Sequence, residues 1–492
     1  MMPTVTLMQA IEKVAKQHPQ SAAYLWQDRA CTHAQFLVAV RRQAWFLESL
    51  HLQPGDRLAV LSSNRPEVMV LLAACAWLGL ILVPLNPRLS ASELEQQLHD
   101  AAPRVLAIEP ELESLLPQWP QGLQRLRLSA AAQTGIEPVV TAGTVAPLDA
   151  APARAATAHQ DAAVLMLFTA AVTARAKAAV LSQGNLVAAA QQLGDVWTLT
   201  PDDRFLGVLP LFHAAGLGLC LTLQLAGGAS VLMPQFQPQS CAQTLANANV
   251  SVIATFSPML GALLDAAKAN GQGPGHVRIA TGLETPQTLS RLAEEWPQTT
   301  FWSAYGQAEV SSMISVGPAH ERPGAAGKVL PGSELAVFGA QGQALGMGQE
   351  GEIGVRGPTV FCGYWDPDLA QAVATTMRDG WHMTGDLGRI DADGWLWFTG
   401  RATHKQLIKT GGENVYPGEV EQALLSHPAV LEAHVHGKPD PKWGEAVHAV
   451  CALKPGAQAS AEELIDHVAL RLARYKRPQS LAFAPAPLNR AP

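Results

Sequence analysis

The stretch LFTAAVTARAKAAVLSQGNL, Leu167 to Leu186, sets two hydroxyls and an ammonium in one turn: Thr169, Thr173 and Lys177. An apolar run precedes the turn, and a second short run and a helix start follow it. That is the outline of a loop that holds nucleotide phosphate, but glycine is nearly absent where such a loop uses it. The stretch does not fit the GxxxxGK[ST] pattern either. Other residues able to do chemistry lie far apart. His213 in LPLFHAAG is, taken alone, a core histidine after an aromatic. Glu309 in AYGQAE and Asp386 in TGD can each be read as the cap of a turn. His434 and His436 in HVH share one face of a strand with no third ligand evident, so they read as strand packing.

These residues need a scaffold, and 492 residues is too long for one compact core. A formal net charge of −7 argues against a general nucleic-acid or anionic-membrane binder. Six cysteines without a CxxC pair are expected to be reduced, buried thiols of a cytoplasmic protein. The N-terminus has no signal-peptide pattern. Val68–Pro87 reaches the lower bound for a membrane span, but Gly79 and the ILVP after it predict a buried helix followed by a buried strand. LMQAIEKVAKQ has helical spacing, DRLAVLSS reads as a strand, and Ser90 caps SASELEQQLHDA. Such alternation predicts parallel sheet covered by helices, resuming from Asp161 to Trp302. Between them, the Ala/Pro-rich passage from Ser129 to His159 is expected to be a surface connection that hides a strand. From Gly317 to Gly400 short strands with glycine predict a β-rich, barrel-like lobe, and a small α/β unit follows Arg401.

In order, LPLFHAAG, AYGQAE, HMTGDLGRID and KTGGENVYPGEVE resemble the signature segments of the adenylate-forming superfamily: acyl-CoA synthetases, luciferases and peptide-synthetase adenylation domains. The resemblance runs from about residue 10 to the last residue. It implies an α/β fold: a large N-terminal AMP-binding domain, residues 1–400, of doubly wound lobes plus a β-barrel-like lobe, and a small mobile α+β C-terminal domain, residues 401–492. It implies activation of a carboxylic acid by ATP to acyl-AMP with loss of pyrophosphate, then opening by a thiol. The first step spreads negative charge over phosphate oxygens, which metal and fixed donors must offset. By resemblance Glu309 holds Mg²⁺, Tyr305 and Gly306 pack on the adenine, and Asp386 accepts both ribose hydroxyls with Arg401 beside it. Gly282 and Glu284 form the adenine-side turn, equally readable as a strand-to-helix loop. His213 favours the acyl-CoA ligase branch. Gly411 and Gly412 open the path for pantetheine.

Departures bear on activity. The family's phosphate loop reads roughly TSGTTGxPKG. Here Thr169, Thr173 and Lys177 remain while alanines and Val172 replace most of the rest. Glycine permits positive φ and close approach of backbone amides to oxyanions. Alanine forced into that geometry costs roughly 1–2 kcal/mol per residue, so ordinary backbone angles and a weaker or narrower cradle are expected. Ala308 stands where a threonine is usual, and the hinge acid aligns with Gln406, beside His404 and Lys405. The family's C-terminal Gly-Lys is missing after Pro492, so slow adenylation and better retained thiol transfer are expected. The expected partners are a small carboxylic acid, ATP/AMP, Mg²⁺ and CoA, with no nucleic acid and no membrane span. Transfer to a carrier-protein pantetheine or an amine, and a catalytically silent nucleotide- or acyl-binding homologue, stay open as alternatives. Small apolar residues near His213, Phe256–Leu260 and Gly282–Glu284 suggest an aliphatic or aromatic acid.

Overall fold

The computed structural model describes residues 5–27, 29–128, 150–156, 159–169, 176–402, 407–410, 413–440 and 443–488. Two large sheets carry the N-terminal part. The nine-stranded sheet runs Lys328–Val329, Ser312–Pro318, Thr300–Gln307, Ile279–Leu283, Val252–Phe256, Arg204–Gly207, Ala229–Leu232, Ala22–Trp26 and Arg29–Thr32. Its six central strands, from Thr300–Gln307 to Ala22–Trp26, are parallel, as the helix–strand alternation demands. The eight-stranded sheet has Ile81–Leu85 and Arg57–Leu61 at its middle and ends on Gly363–Asp366 and Gln371–Val373, which return from far along the chain.

Between the sheets lies the helix Pro66–Leu78, buried on almost every side and closed by Gly79 at φ 73°. Its uniform apolarity reflects this central burial. The strand Ile81–Leu85 follows at once, also fully buried. No helix among the described residues is long and apolar enough to cross a membrane. Five cysteines are buried, but Cys362 is exposed, so the expectation of six buried thiols fails there. Cys362 falls just before Gly363–Asp366, a short strand near the sheet margin where burial is incomplete.

The lobe after Gly317 is β-rich but is not a closed barrel. Glu334–Phe338, Gly351–Arg356, Trp381–Ile390 and Met377–Arg378 form an open antiparallel path, with Leu396–Arg401 paired to Trp381–Ile390. Strands Gly363–Asp366 and Gln371–Val373 leave this lobe for the eight-stranded sheet, which prevents closure. A fourth sheet, entirely from residues after 407, joins Glu413–Val415, Ile408–Thr410, Gly444–Leu453 and Val430–Asp440, with Ser480–Phe483 beside Gly444–Leu453. Helices Pro417–Leu425 and Ala461–Ala469 cover its apolar face. His434 and His436 stack on the other face with His448 opposite (ring centroids 5.5 and 5.0 Å apart). Among the described residues no group of three or more His, Cys, Asp or Glu could hold a metal ion.

Candidate active site

Antiparallel register sets Asp386 directly across from Arg401, whose Nε donates to Asp386 Oδ1 at 3.2 Å. The neighbouring sheet delivers Tyr305 and Gln307 from the end of Thr300–Gln307. Tyr305 donates its hydroxyl to Asp386 Oδ2 at 2.8 Å, and Gln307 Nε2 donates to the same oxygen at 2.6 Å. Asp386 is 3% exposed, so these donors stand where water would. Burial, and then the Asp386 charge, push the Tyr305 hydroxyl well above its ordinary pKa, which keeps it a donor. Gln307 Oε1 is buried without a partner. An incoming sugar diol would therefore reach Oδ2 by replacing one of the two present donors. The Tyr305 ring stacks on Phe398, centroids 6.3 Å apart. Gly306 admits no side chain, because an added Cβ would collide with the Ser312 carbonyl.

Glu309 sits on a single 3₁₀ turn, Ala308–Val310, immediately after that strand. It is buried, and Tyr364 donates its hydroxyl to Glu309 Oε1 at 2.6 Å. The segment bringing Tyr364 is held by Asn185 Nδ2, which donates to the Pro358 and Val360 carbonyls at 2.7 and 2.9 Å. Tyr364 also carries the exposed Lys177 Nζ 5.1 Å from its ring centroid, so one tyrosine touches both the Glu309 carboxylate and the ammonium. The outline read from Leu167–Leu186 holds: strand Ala163–Thr169, strand Lys177–Ser182, then helix Gln183–Val196. Thr169 pairs with Lys177 and donates its hydroxyl to the Lys177 carbonyl at 3.1 Å, so that hydroxyl braces the strand pair rather than facing a phosphate.

His213 is the N-cap of the helix Ala214–Leu225 and makes no side-chain cap bond. Asn64 fixes the loop before it, donating to the Leu209 carbonyl at 2.9 Å and accepting from the Leu211 amide at 3.0 Å. His213 Nε2 lies 3.4 Å from Glu413 Oε2, and Arg88 pairs with the other Glu413 oxygen. Burial alone would raise the Glu413 carboxyl, but His213 and Arg88 outweigh it and hold it below the ordinary value. Glu413 belongs to the C-terminal sheet, and Tyr416 of the same ENVYP segment lies within electrostatic reach of Arg401, Glu309 and Asp386. Gly282, at φ 129°, leaves no room for a Cβ against the Thr255 carbonyl. Beside it Glu284 Oε1 accepts from the Leu260 amide at 3.3 Å, and the Thr255 hydroxyl lies near the carboxylate. Burial pushes the Glu284 carboxyl up to about 7.

The structure thus gathers Lys177, His213, Gly282, Glu284, Tyr305, Gly306, Glu309, Asp386 and Arg401 along the C-terminal ends of the parallel strands and the neighbouring open sheet. Thr173, Gly411, Gly412 and the hinge positions 404–406 lie outside the described residues. Sequence reasoning assigned no role to Arg88, Gln307, Tyr364 or Glu413. Gln307 and Glu413 stood inside quoted motifs, whereas Arg88 and Tyr364 reach the site only through tertiary packing.

Residues 11–365 match the family described as AMP-binding enzyme, and residues 419–491 match the AMP-binding enzyme C-terminal domain. The chain belongs to the AMP-binding enzyme family. It falls in the acyl-CoA ligase branch of these AMP-binding enzymes. It is 32% identical over 487 residues to indoleacetate–CoA ligase of Aromatoleum aromaticum, covering 97% of this chain and 94% of that protein. It is 33% identical over 476 residues to feruloyl-CoA synthase of Amycolatopsis, covering 95% and 93%. Among solved structures, o-succinylbenzoate CoA synthetase of Bacillus subtilis with a product analogue superposes with TM-score 0.81 at 30% identity, covering 98% of this chain and 95% of that one.

Proposed function

We propose that this protein joins an aryl-bearing carboxylic acid to CoA, activating the acid with ATP and releasing AMP and pyrophosphate. The observation carrying the reading is that the C-terminal part reaches the acidic residues of the N-terminal part: Tyr416 lies within electrostatic reach of Glu309 and Asp386, and Glu413 lies against His213. The acid is supported by the relatives, named for indoleacetate, ferulate and 2-succinylbenzoate. We assign residues 1–400 and 401–492 as the two domains, the boundary falling at the last residue of the strand Leu396–Arg401.

In this reading Asp386 accepts the ribose hydroxyls, where an anion suits two O–H donors, and Arg401 pairs with it. Tyr305 offers its ring to the adenine, and Gly282 and Gly306 let the neighbouring strand backbones close up beside it. Lys177 stands as a point charge for phosphate. Glu309 would hold Mg²⁺ through a hard carboxylate oxygen, and the bound ion would supply positive charge against the phosphate oxygens. Tyr364 orients that carboxylate. Once acyl-AMP has formed, attack by a thiol on its carbonyl carbon expels AMP. The Glu413 edge of the C-terminal sheet then lies against His213, closing the site from water. Scattered cysteines without a disulfide frame suit the cytoplasm. The test is acid-dependent pyrophosphate release followed by thioester formation with CoA over a panel of aryl acids. Nucleotide binding with neither product for any acid would overturn the proposal.

A further inference from the structure

His213 ends a loop, residues 208–213, that joins the strand Arg204–Gly207 to the helix Ala214–Leu225. The loop has no strand or helix of its own, so its course must be set from outside. Asn64 does this with both ends of its amide. Its Nδ2 donates to the Gly207 and Leu209 carbonyls at 3.3 and 2.9 Å, and its Oδ1 accepts from the Leu211 amide at 3.0 Å. Asn64 is 5% exposed, so water does not stand in for these bonds. Gly216, in the first turn of the helix, closes on the same loop: a Cβ there would collide with the Pro210 and Leu209 carbonyls.

Asn64 is itself tied down. It lies in residues 62–65, which leave the end of the strand Arg57–Leu61, and Glu109 follows the neighbouring strand Val105–Ile108. The Ser62 and Ser63 hydroxyls lie 3.1 and 2.8 Å from Glu109 Oε1, and Arg65 Nη1 donates to that oxygen at 3.2 Å. Arg65 Nε donates to Glu67 Oε2 at 2.8 Å. The same guanidinium lies 5.1 Å from the ring centroid of Trp26, at the end of a strand of the nine-stranded sheet. Arg65, Glu67 and Glu109 are 4, 7 and 8% exposed. Desolvation offsets much of the attraction in pairs this deeply buried, so what the cluster secures is chiefly the course of residues 62–65.

We infer that Asn64 is a positioning residue for thioester formation: braced by the Glu109–Arg65 cluster, it sets the loop that aims His213 at Glu413. This rests on the ligase reading, in which the Glu413 edge lies against His213. The residue type fits the task. An asparagine amide offers donors and an acceptor on one short stem, whereas an aspartate of the same shape turns an anion on two carbonyl oxygens. His213 Nε2 lies 3.4 Å from Glu413 Oε2. A retreat of the loop by about 1 Å would part them.

The experiment is a double-mutant cycle on the full chain. It measures thioester formation from CoA and the preformed adenylate of benzoate, phenylacetate or cinnamate, whichever the parent uses best. Asn64→Asp alone is expected to lower kcat about ten- to a hundredfold, the effect of a small misplacement close to the chemistry. In a His213→Ala background the same change is expected to cost less than about twofold, because the residue it positions is gone. A purely structural role would repeat the full factor in both backgrounds. That result, or an unaltered rate in Asn64→Asp, overturns the inference while leaving the ligase reading intact. Glu109→Gln keeps its shape and leaves Asn64 in place, and it goes through the same cycle. It is expected to be about threefold slower alone and no slower beside His213→Ala, and equal losses in the two backgrounds overturn the inference. This second cycle decides if Asn64→Asp does not melt cooperatively. Failure of the parent to form thioester from any of the three adenylates, or to release pyrophosphate with their acids, overturns the ligase reading itself and this inference with it.

Discussion

Asp386 holds three donors on two oxygens, a strong arrangement for a buried carboxylate and an exacting one to alter. Asp386→Asn keeps the shape but removes the charge and sets an NH₂ against Arg401 or Tyr305. Hydrogen bonds to charged groups are worth about 1.5–3 kcal/mol, so ATP affinity by calorimetry should fall roughly ten- to a hundredfold. Glu284 makes a different prediction. Its carboxyl is pushed up to about 7 by burial, above its unfolded value. The folded state therefore favours the protonated form: this contribution to stability is fully present below the unfolded pKa and is lost as pH rises through about 7. Glu284→Gln should consequently raise the thermal midpoint at pH 8 and leave it nearly unchanged near pH 4. Equal effects at both would contradict the buried-acid account. At this scale the sequence singled out Asp386, Arg401 and Glu309 by their motifs, and the structure shows their side chains engaged in buried hydrogen bonds. It was silent on Tyr364 and Arg88, because a tyrosine in FCGYW and an arginine in NPRLS carry no local mark of the partner that packing brings.

Elements were legible wherever hydrophobic period and caps agreed. Ser90 starts its helix with the cap that its spacing shows, and the structure adds like caps at Thr6 and Ser182. The open β-lobe was harder, since strand texture gives pairing length but not whether a sheet closes, and closure here fails because Gly363–Asp366 joins another sheet. The edge formed by Glu413–Val415 deserves a test at this scale. Glu413 ties it to His213 and Arg88 of the N-terminal part. Glu413→Gln should therefore slow thioester formation from preformed acyl-AMP by about tenfold, the worth of one charge-assisted contact, while acid-dependent pyrophosphate release changes less. An equal loss in both half-reactions would show that the edge serves the adenylating geometry too.

At the scale of the whole molecule, a second contact joins the two parts. Lys476 Nζ donates to Glu93 Oε1 and to Glu419 Oε2, each at 2.7 Å. Glu93 Oε2 also accepts from the Ala473 amide at 2.8 Å, and Ser90 and Ser92 donate to the Arg471 carbonyl. Burial opposes the Lys476 charge, but Glu419 and Glu93 outweigh it and raise its pKa. Breaking a buried pair typically costs about 3–5 kcal/mol, far more than an exposed pair is worth. Lys476→Met leaves two carboxylates facing each other, so the C-terminal part should undock, with a larger radius of gyration in small-angle scattering. An unchanged scattering profile would mean that the Glu413 contact suffices.

The helix Pro66–Leu78 carries a consequence for synthesis. Its cover comes partly from the helix His33–Ser49 before it and partly from the strand Ala163–Thr169, which begins 85 residues after Leu78. Until that strand leaves the ribosome, a greasy rod emerges with one flank wet. Any nascent chain arrested in this interval would be sticky, and a shielding chaperone should find its main foothold there.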